Sequence, residues 1–127
     1  MTWGEGGART EVDGHAGLTD AAGHPIAESD ELLLVADGQG RFLDASQGIL
    51  GVLGYTREEL LQKTIWDLTP KARELEGLML WQDFIASGDQ TGKYLLRTKA
   101  GGLEPFTYEA HTNAAPGVHV SRLRRLR

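Results

Sequence analysis

The stretch Leu53-Gly54-Tyr55-Thr56-Arg57-Glu58-Glu59-Leu60-Leu61 decides how the rest of this 127-residue chain is read. Thr56 stands before an acidic, leucine-rich run and Glu59 follows three residues later. Hydroxyl and carboxylate can then each satisfy a free backbone N–H at a helix start, so the spacing predicts a capping box. Gly54 permits a backbone angle that a side chain penalises, and Tyr55 occupies the place of the hydrophobic residue that packs ahead of a cap.

Upstream, Leu32-Leu33-Leu34-Val35-Ala36, the turn Asp37-Gly38-Gln39-Gly40 and Arg41-Phe42-Leu43-Asp44 read as two short strands joined by a tight glycine turn. Ser46 then caps a short helix whose Ile49, Leu50, Val52 and Leu53 share one face. Downstream, Thr69-Pro70 places a hydroxyl before a proline at a first helical position, which starts another helix. Leu75, Leu78, Met79, Trp81, Phe84 and Ile85 give that helix a broad apolar stripe, Gly77 marks a bend and Gly88 a stop. Three strands follow, Tyr94–Arg97, Phe106–His111 and Val118–Ser121, with turns at 99–102 and 114–117. The expected fold is α+β, a five-stranded antiparallel sheet with short helices packed on one face and a pocket in the space between.

With DGQGRFLDAS at 37–46, LGYTREELL at 53–61, IWDLTP at 65–70 and NAAPGVHVSRLR at 113–124 in this order, the chain resembles a PAS domain. The resemblance runs from Asp30 to Leu123, about three quarters of the chain. It divides the sequence into a flexible, glycine-rich acidic arm (1–29), the PAS domain (30–123) and a basic tail (124–127). It implies a bacterial cytoplasmic sensor or interaction module of signal transduction or transcription regulation. Such a module binds a small ligand or a partner, often as a homodimer, and passes on a conformational change. Two positions depart from the family's pattern, which usually has Asn at Ser46 and a bulkier residue at Gly48. A weaker hydrogen-bond pin and a more mobile first helix are expected there.

Composition narrows the chemistry. The net charge is −5 and there is no cysteine, which excludes a disulfide scaffold and a thiolate metal site. It also excludes the cysteine-dependent flavin and cinnamoyl photochemistry of some PAS proteins. No run of about 18 apolar residues and no signal-peptide pattern occur, so a soluble, cytoplasmic chain without a membrane partner is expected. Charge is uneven: residues 1–29 carry Glu5, Glu11, Asp13, Asp20 and Glu28 against Arg9 alone, while Arg122, Arg124, Arg125 and Arg127 crowd the other end. So short a basic cluster reads as a solvated strand end, and no direct nucleic-acid partner is expected. Thr19 to Glu31 form either a turn or helix flanking the core or part of a loose leader.

For a ligand, the pocket residues expected are Phe42, Leu50, Leu53, Trp66, Trp81, Phe84, Tyr94, Phe106, Tyr108 and His111, with Tyr108 and Trp66 preferred because each joins a large apolar body to a polar tip. The same aromatic side chains alternatively fill the core. Haem is disfavoured because 71–87 hold no histidine. His111 and His119 would ligate a metal only if both faced the pocket; no metal site is assigned. No catalytic residue is assigned either: the carboxylates are explained by caps, turns and a solvated helix face, and no serine lies in a GxSxG-like elbow. The chain is read as not an enzyme. The competing classes are a cone-shaped isomerase or hydrolase of the nuclear-transport-factor-like type, which opens with long helices, and a ligand-free dimerisation module.

Overall fold

The structure, a computed structural model, describes residues 18–126. Residues 1–17 of the expected arm, His15 among them, and Arg127 of the basic tail lie outside the described residues. Five strands, β1 (Leu32–Ala36), β2 (Phe42–Ala45), β3 (Asp89–Arg97), β4 (Leu103–Ala115) and β5 (Val118–Arg125), form one antiparallel sheet in the order β2-β1-β5-β4-β3. Helices α1 (Gln47–Leu53), α2 (Arg57–Leu60) and α3 (Glu74–Ser87) all lie in the connection from β2 to β3, with 3-10 turns at Ile65–Leu68 and Lys71–Arg73. The expected α+β architecture is present. Its hairpin-first order differs from that of the cone-shaped enzymes, whose helices come first.

β1 is apolar without alternation, which requires cover on both sheet faces. Leu34 and Ala36 face inward with Phe42, Leu53, Leu60, Leu96 and Phe106. Leu33 and Val35 face the other way, where Leu18 and Ile26 cover them together with Ala115 and Val118. Thr19 to Glu31 therefore take the turn-and-helix form: Thr19 bridges Pro25 and a 3-10 turn spans Ile26–Glu28.

The capping box at α2 forms as read, Thr56 accepting from the Glu59 N–H and the Glu59 side chain from the Thr56 N–H. A second box at Thr64 and Asp67 opens the Ile65–Leu68 turn. Gly54 and Gly88 terminate α1 and α3 in the left-handed region, at φ 88° and 92°. The start of α3 differs from expectation. Pro70 precedes a 3-10 turn, the α-helix begins only at Glu74, and the Thr69 hydroxyl donates to the Ile65 carbonyl instead of capping. The stripe on α3 also divides. Gly77 and Phe84 are buried, while Leu75, Leu78, Met79 and Ile85 are 72%, 43%, 58% and 41% exposed. Those six apolar positions span more than the arc that one sheet covers.

β3 starts at Asp89, five residues before the expected Tyr94, because its polar first half gains its ladder from β4: Gln90 opposes Ala110 and Gly92 opposes Tyr108. Side-chain apolarity is not what places these residues in a strand.

The join between hairpin and helices is tight. The fully buried Ser46 hydroxyl donates to the Glu31 carbonyl and accepts from the Leu33 N–H at 2.9 Å and the Ile49 N–H at 3.2 Å. The expected weaker pin is thus corrected: one hydroxyl uses its donor and both acceptor positions. Gly48 is small for a reason of packing, since a Cβ there would lie 2.3 Å from the Asp30 carbonyl oxygen and 2.6 Å from that of Glu31. Gly51, on the same helix, has open space around it. Ser46→Ala is expected to cost about 2–3 kcal/mol and Gly48→Ala about 2 kcal/mol or more, whereas Gly51→Ala should be neutral or stabilising by up to ~1 kcal/mol. Urea unfolding of the three variants checks this, and equal midpoints for the two glycine variants would contradict it.

Candidate functional site

Between α3 and the inner sheet face lies a cavity of about 80 Å³. One water needs about 10–15 Å³ on this measure, so the space suits a molecule of a few heavy atoms. A flavin or haem is several times larger and enters only if side chains move. Its sheet wall is Leu34, Gln90, Tyr94, Leu96, Tyr108, Ala110, Ser121 and Leu123, and its helical wall is Ile65, Trp66, Gly77, Leu80, Trp81 and Phe84. No aspartate, glutamate or histidine lines it.

The tyrosine and glutamine groups at this wall are already paired. The Tyr94 hydroxyl meets Thr69 Oγ1 at 2.8 Å, and Thr69 Oγ1 lies 2.8 Å from the Ile65 carbonyl. The Tyr108 hydroxyl donates to Gln90 Oε1 at 2.7 Å, and Gln90 Nε2 donates to the Leu80 carbonyl at 3.0 Å. Two side-chain bridges thereby tie α3 and its approach to the sheet. Burial pushes both tyrosine hydroxyls above their ordinary pKa, the Thr69 contact partly offsetting this at Tyr94. Gly77 admits the Tyr94 hydroxyl: a Cβ there would lie 2.4 Å from it. The glycine marks a close approach.

At the other end of α3 the aromatic rings interlock edge to face. Trp81 meets Trp66 at 6.0 Å, Phe84 at 5.5 Å and His119 at 6.2 Å between centroids. Both indoles reach the β1–β2 turn, Trp81 Nε1 donating to the Gly38 carbonyl at 3.2 Å and Trp66 Nε1 to that of Gln39 at 3.3 Å. Asp37 shapes that turn by accepting from the N–H groups of Gln39 and Arg41 and from Arg41 Nε. Burial opposes its charge, but these donors hold its carboxyl below the ordinary value.

Of the ten residues expected at the pocket, the structure brings Trp66, Trp81, Phe84, Tyr94 and Tyr108 to the cavity. Phe42, Leu53 and Phe106 fill the core, and Leu50 packs against it half-buried. His111 lies outside, 62% exposed in its side chain, with Nδ1 2.7 Å from Asp89 Oδ1. His119 is buried, its Nδ1 accepting from the Asn113 N–H at 3.0 Å. The two histidines point to opposite faces because His111 is in register with Val120, the neighbour of His119. Nine other lining residues were missed, among them Gln90, Ala110 and Ser121. Period-two extension from Tyr94 back to Gln90 and from Tyr108 to Ala110 was the signal that reaches the first two.

Elsewhere, Asp20 Oδ2 accepts from Ser29 Oγ and lies 3.2 Å from His24 Nδ1. The serine meets the carboxylate directly, so no histidine stands ready to take its proton. The Ser29 hydroxyl, with the His24 and Ala22 backbone donors, holds the Asp20 carboxyl well below the usual carboxylate range. Asp20 thus closes the turn that carries Leu18 and Ile26. Among the described residues no group of three or more His, Cys, Asp or Glu is placed to hold a metal, and no helix is long and apolar enough to cross a membrane.

Solved PAS-domain structures share this arrangement. A domain of the sensory box sensor histidine kinase/response regulator from Geobacter sulfurreducens superposes with a TM-score of 0.68 at 19% identity, over 78% of this chain and 87% of that one. The PAS domain of a LuxR-family transcriptional regulator from Burkholderia thailandensis, in complex with ethanol, gives 0.65 at 16% identity, over 80% and 93%. PAS-B of Drosophila melanogaster Cycle with bound ethylene glycol gives 0.66 at 16% identity, over 75% and 99%. No family model matches the sequence, and no curated protein matches it. The chain has the PAS fold.

Two predictions follow from this geometry. Gly77→Ala should destabilise by about 1–3 kcal/mol through overpacking against the Tyr94 hydroxyl. In a Tyr94→Phe background, where the nearest ring atom is 3.5 Å away, it should cost far less. Thermal melts of the four proteins test the pair, and equal losses in both backgrounds would refute the contact. Burial lowers the His119 pKa from its ordinary 6.5, with Asp37 opposing the shift. The unfolded chain therefore takes up a proton first as pH falls. The stability that neutral His119 contributes is complete above pH 6.5 and declines below it. Melting temperature should drop more steeply between about pH 7.5 and 5 for the native chain than for His119→Gln; identical slopes would count against it.

Proposed function

We propose that this protein is a PAS sensor and interaction module of bacterial cytoplasmic signal transduction or transcription regulation. A small, uncharged, largely apolar ligand enters the helix–sheet cavity, and the resulting shift of α3 is passed to a signalling partner or a second copy. The observation that carries this reading is the cavity itself: about 80 Å³ of largely apolar space whose tyrosine hydroxyls and glutamine amide already have protein partners. An ionic ligand would find no opposite charge there, and a polar one would have to break existing bonds to engage the tyrosines or Gln90. A compact apolar molecule gains contacts at no such cost. Similarity to sensor-kinase and regulator domains, two of the similar structures being described with ethanol or ethylene glycol, supports the same direction.

The route of the signal follows from the walls. Gly77, Leu80, Trp81 and Phe84 place one face of α3 on the cavity, so an occupant pushes against α3. The Gln90–Leu80 and Thr69–Tyr94 bridges are the bonds that such a push loads. No catalysis is assigned, since the cavity wall offers neither carboxylate nor imidazole. The competing reading, a ligand-free dimerisation module, requires the cavity to stay empty.

Titration with benzene and with ethanol, followed in ¹H–¹⁵N spectra, separates the two. Saturable shifts centred on the Trp81 indole N–H and on Ala110 are expected, and Ala110→Leu, which fills the space, should abolish them without unfolding the protein. Shifts that never saturate, or that survive Ala110→Leu, would favour the ligand-free module. Native mass spectrometry and the 300–700 nm absorption of freshly purified protein would reveal any larger ligand retained from the cell.

A further inference from the structure

α3 has a second apolar face that the sheet leaves uncovered. Leu75, Leu78, Gln82 and Ile85 are spaced three, four and three residues apart, all exposed, and Met79 and Ala86 flank them. This is the a/d spacing of a helix that packs lengthwise on another helix. Four of the large hydrophobic residues that stand exposed among the described residues lie on this one helix. Of the acidic residues of α3, Glu76 and Asp83 lie off the seam, and Glu74, one turn before Leu78, borders its N-terminal end. Charges flank the seam: exposed Lys71 lies before its first leucine, beside Glu74 and the Arg73–Glu76 ion pair, and exposed Asp89, which also holds His111, lies beyond its last isoleucine.

We propose that α3 is a homotypic docking helix, packing antiparallel on α3 of a second copy of this chain. An antiparallel pair about a twofold axis near Leu80 sets Leu75 against Ile85 and Leu78 against Gln82 in both directions. The same axis brings Lys71 of each copy toward Asp89 of the other. A parallel pair would instead oppose lysine to lysine and aspartate to aspartate, and align the two helix dipoles unfavourably. A twofold contact must use one patch that complements itself, and this seam with its oppositely charged ends does so. Two helices of 14 residues bury less than the roughly 800 Å² per partner of a standard interface. Gln82 adds a polar group within the contact. The association is therefore weak and reversible, as suits a signalling contact. Because the inner face of α3 walls the cavity, movement of α3 by an occupant alters the seam on its outer face. This names the partner half of the module reading and rests on it; its test reads self-association alone, whereas ligand binding is read at Trp81 and Ala110.

Sedimentation equilibrium of the full chain over about 5 μM to 1 mM, where weak homodimers form, is the experiment. A monomer–dimer equilibrium is expected. Leu78→Glu should weaken it at least about tenfold and Gln82→Leu strengthen it, both with unchanged circular dichroism because these side chains are exposed. Lys71→Glu should weaken it severalfold, and adding Asp89→Lys should restore it. A chain that stays monomeric at the highest concentration, or a dimer indifferent to Leu78→Glu, overturns the proposal. So does a charge swap that restores nothing, since the antiparallel order depends on it.

Discussion

The Ser46 hydroxyl holds the junction on which the other elements depend. With its one proton on the Glu31 carbonyl and its two lone pairs on the Leu33 and Ile49 N–H groups, it fastens the entry of β1 to the start of α1. It is buried, so any one of these bonds left unmade has no water to replace it. Gly48 allows the helix to approach the 30–31 backbone that closely, and its own N–H donates to the Ser29 carbonyl at 3.1 Å. From that junction the chain can travel only across the inner sheet face. Arg57 then clamps α2 to the edge of the sheet through Asp44 and the Ala45 carbonyl. The Lys99 N–H donates to the Leu53 carbonyl, closing α1 onto the β3–β4 turn.

The cavity is a consequence of how α3 is then laid down. Glycine at 77 lets the helix sink onto the Tyr94 hydroxyl, and glycine at 92 leaves room for the Tyr108 ring opposite it. Large aromatic side chains close the other end, against the turn that Asp37 organises. Between the two contacts the helix spans a gap that Ala110 and Ser121 are too small to fill. A site of this kind presents no charged side chain. What it provides is a packed helix held by two hydrogen-bonded bridges.

α3 therefore works with two faces. One is aromatic and glycine-notched and meets the sheet; the other is aliphatic, heptad-spaced and free. A rigid helix transmits displacement from one face to the other without needing a longer pathway, and packed contacts respond in discrete steps more readily than by continuous deformation. That property connects the ligand site proposed at the cavity with the docking surface proposed for a second copy.

Local interactions were legible in the residues. The capping box at Thr56 and Glu59, the glycine turn after Ala36, the stop at Gly88 and the hairpin-first order each involve atoms close together in sequence, so residue type and spacing determine them. Five of the ten residues expected at the pocket line the cavity, because aromatic side chains at inward positions have few other places to go. The remainder depended on atoms far apart in the chain. The first half of β3 is a strand because β4 lies beside it, Thr69 leaves its cap for a carbonyl and a tyrosine 25 residues away, and Gly77 answers to that same tyrosine. His111 and His119 part company because register with a neighbouring strand assigns them opposite faces. Sequence by itself determined the class of fold and the order of its elements through short-range hydrogen bonding and hydrophobic period. Only the tertiary structure decided which side chains meet, since packing against distant partners, not propensity, chooses the face each residue presents.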